Sequence, residues 1–226
     1  MDIFALFHEN ADLQRGREMS AYMRNQFSYL GIGSVRRREL SGPFFRSLDK
    51  TAPVDWRFVL DCFQKDEREF AYLACEYLFR RRNDILEKDF GWFEKIALVK
   101  PWWDSIDSIA PVVGFVCKKY PGLIERYIVP WMTSDEKWLV RISIIFQLKY
   151  KKDTNLEVLT KAILQNSKTK EFFINKAIGW ALREYSKTDA GWVEDFVSKN
   201  EMSNLSKREA LKVINRKERD YETYGR

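Results

Sequence analysis

A chain of 226 residues that is 45% hydrophobic can build one large core or two small ones, and is too apolar to be a disordered chain. Lys and Arg outnumber Asp and Glu by 39 to 33, and the resulting net charge of +6 favours an anionic partner such as nucleic acid. The single histidine, His8, excludes a histidine-centred triad or a multi-histidine metal site, so any chemistry must rest on carboxylates, Arg, Lys and aromatics, with no cofactor implied.

Helical periodicity dominates the chain, and strand-like alternation bounded by Asn-Gly or Asp-Gly turns is absent, so the expected class is all-α. In chain order the predicted helices span 19–27, 35–48, 54–63, 68–81, 91–99, 103–119, 123–132, 137–150, 156–164, 170–185, 191–197 and 206–215. They alternate short and long. The second helix of each pair starts at Arg68, Trp103, Lys137, Phe172 and Ser206, and these starts lie 34 or 35 residues apart. A period of that length, in units that cannot bury their own apolar face, predicts a HEAT-like α-solenoid of about six helix pairs with a concave basic face. Pro53, Pro101 and Pro121 break helices between units, and Thr133, Ser134 and Asp135 offer caps.

No linker divides the pattern, so one domain over 1–226 is expected, with an atypical short N-terminal segment (1–18) and a mobile tail (216–226). Asn10, Asp12 and Gly16 interrupt the opening, which shows no second amphipathic run, and His8 is expected near a frayed end. Cys62, Cys75 and Cys117 lack CxxC spacing and sit in apolar surroundings, which reads as buried free thiols in a reducing cytosol. The N-terminus lacks the basic start and long apolar run of a signal peptide, and no stretch approaches a membrane span. A soluble cytoplasmic protein without a membrane partner is expected.

Repeat register turns the period into geometry. Asp107, Arg141 and Lys176 are 34 and 35 residues apart, so they occupy equivalent positions on three successive second helices. Trp103 lies four residues before Asp107 and Trp180 four after Lys176, one turn from the row and on the same side. Lys149, Lys151 and Lys152 at one helix end, Lys168 and Lys170 before another, and Arg183 beyond Trp180 could grip phosphates. The plainer alternatives are that tryptophans at helical spacing are core, that Asp107 and Arg141 form a bridge between repeats, and that the lysines are solvated helix ends. Trp92, Trp102 and Trp138 are assigned to packing.

The segments PWWDSIDSIAP (101–111), WLVRISIIFQLKYK (138–151), EFFINKAIGWALREYSKT (171–188) and LSKREALK (205–212) closely resemble the AlkD-like DNA alkylation repair proteins, which are HEAT-like repeat DNA glycosylases. MSAYMRNQFSYLGI (19–32) and EREFAYLACEYL (67–78) fit the same family, so the likeness covers nearly the whole chain. The resemblance implies a monomer that excises cationic N3- or N7-alkylated purines from duplex DNA, in the cytoplasm with the nucleoid. It further implies that Trp103 and Trp180 contact the deoxyribose, that Asp107 stabilises the oxocarbenium ion and positions water, and that Arg141 contacts the backbone nearby. Lys149, Lys170, Lys176 and Arg183 complete the expected DNA-binding set. Family members often carry a longer opening with a helix near the minor groove. The alternatives are therefore a weak or inactive paralogue that binds DNA weakly because this helix is shortened, and a scaffold that binds another protein.

Overall fold

The computed structural model describes residues 2–216, and the expected tail falls outside the described residues from 217 on. Among the described residues the regular structure is helical, with one isolated bridge between Ser28 and Glu67 and no strand. The chain forms two compact units, one running to Pro101 and one beginning at Trp102.

The first unit contains α1 (Ile3–Glu9), α2 (Leu13–Tyr22), α3 (Ser34–Ser47), α4 (Trp56–Gln64), α5 (Arg68–Arg80) and α6 (Gly91–Ala97). Its opening departs from the sequence expectation, since residues 1–18 hold all of α1 and the first half of α2, and the predicted helix over 19–27 ends at Tyr22. Asp12 and Gly16, which read as interruptions, have local jobs, and so has Asp2. Asp2 caps α1, accepting from the Phe4 and Ala5 amides at 2.9 and 3.1 Å, and Asp12 caps α2, accepting from the Arg15 amide at 3.0 Å. Gly16 lies so close to the 29–31 segment that a Cβ there would stand 2.5 Å from the Tyr29 carbonyl oxygen. Arg24 and Asn25 take left-handed φ of 56° and 54°, which turns the chain away from further helix. Nor is the start frayed, because Ile3 and Phe7 are buried and the Phe7 ring stacks on Phe70 at 5.6 Å.

The fully buried Glu69 on α5 organises the loop at residues 30–32, between α2 and α3. Its carboxylate accepts from the Leu30, Gly31 and Ile32 amides at 3.0, 2.9 and 3.1 Å, so three backbone donors of a buried loop depend on one side chain. Burial pushes this carboxyl above its ordinary value, against the pull of those amides.

The second unit contains α7 (Trp103–Lys119), a π-helical turn (Ile124–Ile128), α8 (Val129–Trp131), α9 (Lys137–Ile145), α10 (Leu156–Asn166), α11 (Phe172–Tyr185), α12 (Ala190–Lys199) and α13 (Asn204–Leu211). Here the repeat is explicit: α9 packs on both α7 and α11, and α11 packs on α13, while α8 and α10 flank α9 and α12 flanks α11 and α13. The helices beginning at Arg68, Trp103, Lys137 and Phe172 start where the period puts them. The last starts at Asn204, because the Ser203 hydroxyl accepts from the Ser206 amide and caps it early. α9 stops at Ile145 rather than Tyr150, and just beyond it the buried Gln147 side chain braces the start of α10, bonding both the amide and the carbonyl of Asn155 at 2.8 and 3.2 Å. Between 123 and 132 the expected helix is broken into the π-turn and α8, where Pro130 has no amide to donate.

α7 owes little to its own sequence. WDSIDSIAPVVGFVCKK is rich in Ser, Asp, Ile and Val, and it carries Pro111 and Gly114 in its interior. Buried Ile106, Ile109, Val112, Val113 and Val116 supply the packing face that offsets this. The three cysteines are buried, and burial raises the thiols of Cys62 and Cys117, the latter to about 12, so these two behave as small apolar groups.

Candidate active site

Asp107 stands in the second turn of α7, and Pro111, four residues on, lacks the amide that would bond the Asp107 carbonyl. The side chain is held by Arg141 of α9 in a two-pronged pair: Nε to Oδ1 at 2.7 Å and Nη2 to Oδ2 at 2.8 Å. Arg141 also donates from Nη1 to the Phe173 carbonyl at 2.6 Å, so one guanidinium ties α7, α9 and the first turn of α11 together. The pair is mostly dry, with side-chain exposures of 17% for Asp107 and 6% for Arg141. Burial pushes the Asp107 carboxyl above its ordinary value, a shift that the Arg141 hydrogen bonds and charge oppose and that the nearby Asp104 reinforces.

The two expected indoles, Trp103 and Trp180, belong to half-buried residues. Trp103 sits one turn before Asp107 on α7, and Trp180 stands two turns beyond Phe173 on α11. Trp102 behaves differently, as expected. It packs against Trp138 and Phe173 with ring centroids 5.9 and 5.2 Å away, and Trp92 stacks on Trp56 at 5.9 Å, so both belong to packing.

The other expected cations divide. Lys149 and Lys170 are exposed, just after α9 and just before α11. Lys176 and Arg183 on α11 are both engaged by Glu209 of α13: Lys176 Nζ lies 2.9 Å from Oε1, and an Arg183 Nη1 proton is donated to Oε2. The Lys176 ammonium holds the Glu209 carboxyl below its usual range, with Arg183 adding to it. The structure therefore resolves the register row into two ion pairs, Asp107 with Arg141 and Lys176 with Glu209. Glu209 was missed by the sequence reading, because it follows Lys176 by 33 residues and so falls outside the 34- and 35-residue steps of the row.

The family model described as DNA alkylation repair enzyme matches residues 3–214. The chain belongs to this family. A solved structure described as a predicted DNA alkylation repair enzyme from Enterococcus faecalis is similar at 31% sequence identity with a TM-score of 0.84, covering 89% of this chain and 95% of that one. No curated protein matched. Membership gives the chain a role in DNA repair, and with it contact with DNA. No helix among the described residues is long and apolar enough to cross a membrane.

Proposed function

We propose that the protein is a DNA glycosylase, a HEAT-like module acting as a monomer that hydrolyses the N-glycosidic bond of cationic N3- and N7-alkylpurines in duplex DNA. The observation that carries this reading is a carboxylate fixed by a two-pronged arginine, one helical turn from a half-buried tryptophan, in a member of the DNA alkylation repair family.

The chemistry suits these residue types. An N7- or N3-alkylpurine already bears a positive charge, so when the bond between C1′ and the base nitrogen breaks, the electron pair neutralises the base and it leaves without a proton donor. The charge then resides on the sugar as an oxocarbenium ion. Asp107, unable to swing because Arg141 grips both oxygens, offers fixed negative charge to it, and the indole faces of Trp103 and Trp180 offer their quadrupoles. Water adds to C1′ and releases its proton, leaving a neutral free base and an abasic site. Sugar cations are handled by carboxylates in glycoside hydrolysis on the same electrostatic grounds. The exposed Lys149 and Lys170 would contact the backbone, and Arg141, Lys176 and Arg183 would add what charge their ion pairs leave. The reading implies a cytoplasmic, nucleoid-associated protein and no cofactor.

A second reading is a family member that binds DNA weakly and excises nothing. It is favoured by the engagement of Arg141, Lys176 and Arg183 in ion pairs, which leaves them less charge for phosphates. One assay separates the two. The enzyme at micromolar concentration is incubated with a duplex holding a single 7-methylguanine, and the free base and the abasic site are both measured. Release of base with a matching count of abasic sites is the expected result; no release over hours leaves the second reading standing.

A further inference from the structure

Glu209 of α13 faces two cations on the neighbouring α11, Lys176 and Arg183. It reaches α11 because Gly179 lets α13 approach: a Cβ on Gly179 would lie 2.5 Å from the Glu209 Cβ and 2.9 Å from the Ser206 carbonyl oxygen. Ser206 then fastens the contact, its hydroxyl donating to the Asn175 carbonyl at 2.9 Å. On α11 the helical spacing sets Lys176, Trp180 and Arg183 on one stripe, with Trp180 between the two cations and Gly179 to the α13 side. Glu209 binds both cations at once, and it is itself only 13% exposed.

Two unpaired positive charges flanking an indole oppose any positive charge brought against that indole. A reaction whose substrate and transition state are both cationic is the reaction most harmed by them. Paired to Glu209, the two cations contribute a local charge of +1 rather than +2, and both are drawn towards α13.

We infer that Glu209 is a positioning residue of the excision site: it holds Lys176 and Arg183 against α13 and neutralises one of their charges, so that the Trp180 face can accept a cationic sugar. The inference rests on the glycosylase reading above. It also trades affinity for chemistry, because each cation withheld from the phosphates weakens general DNA binding.

That trade supplies the test. The Glu209→Gln chain keeps an acceptor of the same shape without the charge. Two quantities are measured on it and on the parent chain: the single-turnover rate of 7-methylguanine release at saturating protein, and the affinity for an undamaged duplex of the same sequence across a salt series. The expected result is opposite movement, with the release rate falling about tenfold while undamaged-duplex affinity rises and its salt slope steepens by about one. A loosened α11–α13 contact would lower both quantities together, and that outcome, or an unchanged release rate, overturns the inference. If the parent chain releases no base, the glycosylase reading fails instead. The binding arm then decides alone: an affinity unmoved by the substitution shows that Glu209 withholds no charge from DNA.

Discussion

Replacing Asp107 with Asn is expected to slow release of 7-methylguanine by about two to three orders of magnitude, the scale on which a single preorganised electrostatic group acts at a reacting centre. Asn cannot reproduce the pair with Arg141, since one of its two terminal atoms becomes a donor facing a donor. It also removes the charge that would face the oxocarbenium ion. The substitution carries a folding cost, because Arg141 is 6% exposed and loses its counter-charge, and breaking a buried pair from one side costs about 3–5 kcal/mol. Arg141 keeps its bond to the Phe173 carbonyl, which softens that cost. The rate is therefore compared well below the melting temperature of the variant, with circular dichroism checking that the helices persist. A variant that stays folded and excises within a few-fold of the parent would remove Asp107 from the chemistry. The pH profile gives a second check on the same group. In the proposed mechanism the ionised carboxylate is the working form, so the rate should fall as pH drops through its pKa. Because burial raises that pKa, the fall should set in at higher pH than for a solvated aspartate.

The largest effect on stability is expected from Glu69→Ala. The substitution leaves the Leu30, Gly31 and Ile32 amides without their acceptor inside a buried loop, and each orphaned donor costs about 1–3 kcal/mol. Even at the low end the sum is about 3 kcal/mol, a large part of the 5–15 kcal/mol that holds a typical domain together. Urea denaturation should show the midpoint moving strongly downward. Glu69→Gln keeps one carbonyl oxygen for the amides but turns an NH2 group towards the same donors, so it should recover part of the loss and not all of it. If the alanine chain matches the parent to within about 0.5 kcal/mol, the 30–32 segment is held by something other than this carboxylate.

The parts of this protein that could be read before any coordinates were those governed by period. Arg68, Trp103, Lys137 and Phe172 each open a helix because apolar positions recur with the repeat, and that spacing alone brought Asp107 to Arg141. What escaped reading depends on contacts that the local chain does not announce. Gly16 and Asp12 have the composition of a break, yet Asp12 is a local cap and Gly16 a close approach to Tyr29, and the second fact requires knowing where residues 29–31 lie. Lys176 and Arg183 read as free cations because their partner is a helix away, and only the small size of Gly179 lets Glu209 reach them. The same holds for Glu69, whose role lies in a loop nearly forty residues earlier, at a sequence separation of 37–39. Polar pairing across helices follows from packing distance, and packing distance is what a single sequence states least directly.

Pro111 has a bearing on how the site comes into being. A proline inside α7 weakens that helix by about 3 kcal/mol relative to alanine, and its neighbours Ile109, Val112 and Val113 add little intrinsic tendency to coil. The segment that carries Asp107 is thus a helix by consent of α9, not by its own preference. The carboxylate and its guanidinium stand on different helices, so their geometry depends on the docking of α7 on α9. Any change that loosens the seat of α7 on α9 therefore also loosens the grip of Arg141 on Asp107.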